Sequence, residues 1–199
     1  MAFVIWGQFL DHDLDLTEAD NKENFDIPIP KNDSFFTNQQ SLKFTRSEFI
    51  PSTSPRQHPN IITAWIDGSQ IYGNDQETAK KLRTWKDGKL KTSSNGKLLY
   101  KKNGLFVSGD SRVNENLLLT SYHTIFVREH NRLCSEIKKK HSQLSDEVIF
   151  QAARHYIIGL LQKITFDDFL PILMGENSFR QLIGSYQGYN PNVSPNILT

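Results

Sequence analysis

NENLLLTSYHTIFVREHNRLCSEIKKK, residues 114–140, carries a sustained helical repeat. Leu117, Leu118, Tyr122, Ile125 and Leu133 recur at steps of three and four, the spacing of one helix face. Working outward, the pattern predicts a second helix over about 145–164 and a third over about 176–185. Upstream, residues 3–16 read as a helix with its acids gathered toward the C-terminal end. The helix dipole disfavours that placement, so those acids are expected to have other partners. Pro28, Pro30, Pro51, Pro55 and Pro59 break up residues 20–60, which predicts an ordered but irregular connection. A short apolar stretch from Ile61 to Tyr72 ends at a Gly73-Asn74 turn, and Asp75 is placed to cap a helix running to Leu82. Between Lys80 and Lys102 stand nine basic residues and one acid, Asp87, read as a solvated hairpin more than as a site for anionic partners. There is no internal repeat. The expected fold is mainly α: one helical unit, truncated, with long loops and little β.

Composition narrows the function classes. The 199 residues are 37% hydrophobic and 23% charged, ordinary for a globular protein. Net charge is +1, from 23 basic and 22 acidic side chains, which argues against wholesale binding to nucleic acid or to an acidic membrane. No apolar run is long enough to span a bilayer. The first residues, Met1 to Trp6, have no basic leader and no small-residue cleavage site. Cys134 is the single cysteine, which rules out an internal disulfide and a multi-cysteine metal site.

Four segments bear chemistry. In WGQFLDHDLDLT (6–17), Gln8 and His12 are four apart and share a helix face, with Asp11 and Asp13 flanking the imidazole. A lone histidine on a helix is more often structural, and the acids raise a metal or acid–base role only modestly. In TAWIDGS (63–69), oxygen-bearing side chains recur at Thr63, Asp67 and Ser69, and in an extended loop these face one way. The Trp65 carbonyl would complete a hard-oxygen set suited to calcium. A half-buried strand of alternating polarity is the competing reading. In GDSRVNE (109–115), Arg112 and Glu115 are three apart, which by itself also describes a surface ion pair. In HTIFVREHNR (123–132), His123 and His130 are seven apart and read as structural.

Taken in order, WGQFLDHDLDLT, TAWIDGSQIYG (63–73), GDSRVNE, HTIFVREHNRL (123–133) and ITFDDFLP (164–171) resemble the animal heme peroxidase family over nearly the whole chain. The resemblance implies that His12 is the distal histidine, Gln8 the distal glutamine and Arg112 the catalytic arginine. It implies that Asp11 and Glu115 are the carboxylates that form ester links to heme in many members. It also implies that Asp13, Thr63, the Trp65 carbonyl, Asp67 and Ser69 hold calcium. Asn116 stands where one member carries a heme-bonded methionine, so that linkage is expected to be absent. The implied cofactors are heme b and calcium. The implied partners are hydrogen peroxide and a small donor, halide or organic, with no nucleic acid and no membrane span.

The tail Gly188 to Pro195 resembles the stretch just upstream of the proximal-histidine helix. Residues 1–199 are therefore expected to be the distal part of a longer catalytic domain, lacking the axial ligand. The family resemblance implies an extracellular location, although the single cysteine departs from the disulfide-bonded pattern of extracellular members. Asn32-Asp33-Ser34 and Asn192-Val193-Ser194 match glycosylation sequons, a pattern common by chance. Two other functions fit the same scaffold: a fatty-acid dioxygenase, and a calcium-binding module that engages partners without turnover.

Overall fold

The computed structural model describes residues 2–194. It divides into two compact units, residues 15–61 and the remainder. Met1 and Pro195, the first residue and the last of the tail motif, lie outside the described residues.

The larger unit is helical. Its elements are α1 (Ala2–Leu14), α2 (Ser69–Tyr72), α3 (Gln76–Leu82), α4 (Leu117–Lys140), α5 (Asp146–Lys163), α6 (Leu170–Met174) and α7 (Glu176–Leu182). Side-chain caps define the starts. Asp75 accepts from the Thr78 N–H, Asn116 from Leu119 and Ser145 from Val148. Each satisfies a backbone donor that the first helical turn leaves without a partner. Asp146 and Glu147 then place negative charge at the α5 N-terminus, where the dipole favours it. A six-residue π-helical segment, Ile164–Phe169, links α5 to α6. Two short antiparallel hairpins occupy the basic region, pairing Thr92–Ser93 with Leu98–Leu99 and Lys101–Lys102 with Leu105–Phe106.

The core gathers Trp6 and Phe9 of α1, Ile71 and Tyr72 of α2, Leu119, Phe126 and Val127 of α4, and Ile149, Ala153 and Ile157 of α5. Phe9 is fully buried and stacks on Phe126, with ring centroids 5.3 Å apart. The core-facing stripe of α4 differs from the apolar repeat read in the sequence. Its buried residues are Leu119, Thr120, His123, Phe126, Val127, His130, Leu133 and Cys134, whereas Leu117 is 82% and Ile125 56% exposed. The reason is that the two histidines are core residues. A count of apolar side chains alone leaves them out and turns the stripe toward solvent.

The smaller unit holds two ladders, both antiparallel. Strand β1 (Ala19–Asn24) pairs with β4 (Thr45–Ser47), and β2 (Ile27–Pro28) with β3 (Ser41–Leu42). The Ile61 N–H donates to the Leu16 carbonyl, and the Leu16 N–H to Asn60 Oδ1, joining the ends of the segment. The proline-rich connection is thus a compact unit in its own right, with strands kept short by the prolines.

Candidate active site

Helix α1 presents Gln8, Asp11 and His12 toward the 3-10 turn Ser111–Asn114 and the residues that follow it. The Gln8 side-chain amide donates to Glu115 Oε2 at 2.9 Å and accepts from Asn116 Nδ2 at 2.9 Å. His12 Nε2 lies 3.6 Å from the same Glu115 oxygen. Arg112 Nη1 stands 3.9 Å from Asp11 Oδ2. Gln8, Asp11, His12, Arg112 and Glu115 therefore form one cluster, although its two halves lie far apart in the sequence.

The cluster has a buried side and an open side. The His12 ring is buried, and its Nδ1 has no hydrogen-bond partner among the described residues. Burial, reinforced by the Arg112 charge, lowers the His12 pKa from its ordinary value and keeps the imidazole neutral near pH 7. Asp11 and Glu115, by contrast, have side chains 54% and 46% exposed. An uncharged base, a fixed guanidinium and an amide beside two projecting carboxylates is a donor set that fits a heme edge. The imidazole and guanidinium would face the peroxide side, and the carboxylates, half exposed, would meet ring substituents.

Arg112 is held by a residue the sequence reading passed over. Asp110 Oδ1 accepts from Arg112 Nε at 3.0 Å and Oδ2 accepts from Nη2 at 2.8 Å, a two-pronged pair. Asp110 also caps the 3-10 turn, accepting the Arg112 backbone N–H at 2.7 Å. Burial works to raise its pKa, but the hydrogen bonds and charge of Arg112 outweigh this and hold it below the usual carboxylate value. An acid two positions before an arginine at a helical start is the signal that could have identified it.

The expected calcium ligands also come together in part. Asp13 is fully buried, accepts from the Gly68 N–H at 3.1 Å and accepts from Ser69 Oγ at 2.8 Å. Thr63 Oγ1 lies 3.4 Å from Ser69 Oγ, and Asp67 Oδ1 accepts the Ser69 N–H at 3.0 Å. The Trp65 carbonyl accepts from the Asp67 N–H at 2.9 Å, closing a tight turn. Burial pushes the Asp13 carboxyl up to about 6, and the nearby Asp67 charge adds to the rise against the Gly68 and Ser69 hydrogen bonds. Two carboxylates and a hydroxyl that each meet Ser69, together with the Ser69 hydroxyl itself, are hard-oxygen donors of the kind that fits a divalent cation such as calcium. Among the described residues, no group of three or more His, Cys, Asp or Glu is placed to hold a metal, so this set relies on its hydroxyl and carbonyl oxygens.

His123 and His130 lie in the core. His123 Nδ1 meets the Leu119 carbonyl at 2.9 Å, and burial lowers its pKa to about 4. His130 sits between the Tyr72 hydroxyl and the Gly88 carbonyl, each at 2.9 Å. A groove of about 810 Å³, lined by Trp6, Tyr122, Ile125 and Leu160 among others, does not include His12 or Arg112. Among the described residues, no helix is long and apolar enough to cross a membrane.

Comparison with known proteins identifies the family and the fold. A family model described as "Animal haem peroxidase" matches residues 1–199. Lactoperoxidase of Mesocricetus auratus is 34% identical over 99% of this chain and 34% of its own length. Among solved structures, peroxidase A from Dictyostelium discoideum superposes with a TM-score of 0.79 at 30% identity, covering 96% of this chain and 43% of that one. The fatty acid alpha-dioxygenase of Oryza sativa gives a TM-score of 0.75 at 32% identity, covering 94% and 33% respectively. The chain spans about a third or less of the length of the first curated relatives it matches. With the five motifs in order and the match extending over all of its residues, the chain belongs to the animal haem peroxidase family.

Proposed function

We propose that residues 1–199 are the distal part of a heme peroxidase catalytic domain, and that the whole protein reduces hydrogen peroxide while oxidising a halide or a small organic donor. The observation that carries this reading is the cluster of a buried neutral His12, Gln8 and a carboxylate-anchored Arg112 beside the projecting Asp11 and Glu115. With an organic donor AH, the net reaction is H2O2 + 2 AH → 2 H2O + 2 A•, which balances in atoms and electrons.

The side chains divide the work as follows. His12 takes a proton from one peroxide oxygen and returns it to the other, and a neutral imidazole is the form able to do both. The O–O bond breaks heterolytically, and its electron pair leaves with the protonated oxygen as water. Arg112 stabilises the negative charge that grows on that departing oxygen. Gln8, tied to Glu115 and Asn116, limits where a second polar molecule can stand. A bound heme would supply the two electrons that bond cleavage consumes and recover them from the donor one at a time. Asp11 and Glu115 would hold it, by charge or by ester bonds. Calcium held by Asp13, Thr63, Trp65, Asp67 and Ser69 would fix the backbone beside His12.

The test is an absorption spectrum of the heme- and calcium-loaded protein against a His12→Ala variant. The expected result is an unchanged Soret band in the variant and a peroxide reaction slower by about 10²–10⁴-fold. Equal rates in the two proteins would reject His12 as the proton carrier. Absence of turnover in the parent would favour a non-catalytic binding module. The likeness to the rice dioxygenase supports one second reading, fatty-acid oxygenation on the same scaffold. Oxygen uptake with a long-chain fatty acid and no peroxide would select it.

A further inference from the structure

We propose that Asp110 is the positioning residue for Arg112 and that it works from a seat on the α2 turn, so that the turn engaging Asp13 beside His12 also fixes Arg112. This inference rests on reading Arg112 as the charge-stabilising group.

Three observations converge. Asp110 is buried, and both of its carboxylate oxygens are committed to the Arg112 guanidinium in a fork. Capping the 3-10 turn requires a single acceptor for the Arg112 N–H, which a serine or asparagine supplies equally well. The second oxygen and the negative charge are superfluous to the cap, but they define the plane and direction of the guanidinium.

Next, the segment carrying Asp110 lies flat on α2. The Asp110 N–H and the Ser108 hydroxyl both donate to the Gln70 carbonyl, at 3.0 and 2.9 Å. Between them, a Cβ added to Gly109 would come within 2.1 Å of the Ser69 carbonyl oxygen and 2.3 Å of the Gly73 nitrogen. Backbone meets backbone there, which leaves no slack for the segment to slide. Finally, the start of the same turn grips Asp13, through the Gly68 N–H and Ser69 Oγ. Asp13 adjoins His12. One four-residue element thus sets the position of the imidazole on one side and, through Asp110, of the guanidinium on the other.

The experiment compares the heme-loaded parent protein with Asp110→Asn, Asp110→Ser, Arg112→Ala and the Asp110→Asn/Arg112→Ala double variant. The readouts are the rate constant of the Soret change on mixing with peroxide, the Kd of cyanide for the ferric heme and the thermal midpoint. The expected result is heme binding retained in both Asp110 variants, a peroxide rate constant lower by about 10–100-fold and cyanide weaker by about tenfold. The double variant should match Arg112→Ala, because an acid that acts through Arg112 has nothing left to position once the guanidinium is gone. Additive losses in the double variant would overturn the proposal, as would an Asp110→Asn protein with parental rates beside a slow Arg112→Ala. So would loss of heme and helical structure in both Asp110 variants while Arg112→Ala stays folded. Parental rates in Arg112→Ala would instead remove the catalytic reading of Arg112, and this proposal with it.

Discussion

The protonation state of His130 follows from its neighbours. The Gly88 carbonyl can only accept, so Nε2 carries the proton, and Nδ1 accepts from the Tyr72 hydroxyl. Protonating Nδ1 would turn the Tyr72 hydroxyl from donor to acceptor and place a charge in a site without solvent. Burial accordingly lowers the His130 pKa to about 4, and the Arg83 charge contributes in the same direction. Between about 4 and the unfolded value near 6.5, the unfolded chain binds this proton and the folded one does not. Stability from this residue is therefore complete above about pH 6.5 and declines as pH falls toward 4, by about 3 kcal/mol at most. The expected result is a steeper acid loss of the urea midpoint in the parent than in His130→Gln, which has no ring to charge. Asp13, whose pKa is raised by burial to about 6, contributes with the opposite sign in both proteins and cancels in the comparison. Parallel slopes would contradict the assignment. Gly88 explains why the site tolerates no alternative backbone: its φ is +73°, and an added Cβ would lie 2.6 Å from the Phe150 nitrogen.

Two consequences belong to α4 as an element. Its buried face passes through Phe126, not Ile125. Phe126→Ala should cost about 3–5 kcal/mol through lost burial and the cavity left behind. Ile125→Ala should stay within about 0.5 kcal/mol. Equal costs in denaturant unfolding would mean that the helix faces the core with the phase its apolar repeat implied. The second consequence concerns the N-terminus. Asn116 caps the helix with its carbonyl oxygen and donates to Gln8 with its amide nitrogen, so it serves stability and site together. Asn116→Ala should lose about 1 kcal/mol of stability. Asn116→Asp should keep the cap and lose only the donor to Gln8. A thermal midpoint for Asn116→Asp as low as that of Asn116→Ala would show that the Gln8 contact, not the cap, is what stabilises the helix start.

At the scale of the helical unit, the α2 turn joins the oxygen cluster to both flanks of the His12 site, through Asp13 and through Gln70. If calcium occupies that cluster, its removal should be felt at the heme before the fold is lost. Titrating the loaded protein with a chelator should shift the Soret band and slow the peroxide reaction while the helical circular dichroism signal stays constant. Loss of helix in step with, or ahead of, the spectral change would refute the coupling. The buried core around Phe9, Phe126 and Ile157 gives the reason for the expected order. Those contacts involve none of the oxygen donors, and helices packed through such a core hold by burial of apolar surface.

The sequence by itself determined whatever depends on near neighbours. The helix starts at Asp75 and Ser145 were legible because a cap acts over three residues. The presence of the long helices was legible from periodicity, whereas residue types and spacing in the Gln8–His12 and Thr63–Ser69 segments left structural readings open, and only the resemblance of the motifs in order assigned them roles. The acids at the end of α1 were expected to have partners beyond the helix, and Asp13 has them at Gly68 and Ser69. Only the tertiary structure decided which face of α4 is buried, because His130 enters the core with the Tyr72 hydroxyl and the Gly88 carbonyl, both distant in sequence, on its ring nitrogens, while His123 bonds back to Leu119 one turn earlier and packs against Phe9. The same holds for the meeting of Gln8 with Glu115 and for the seating of Asp110 on Gln70. Such contacts join positions tens of residues apart. Their geometry is fixed by how the helices pack, which no local pattern encodes.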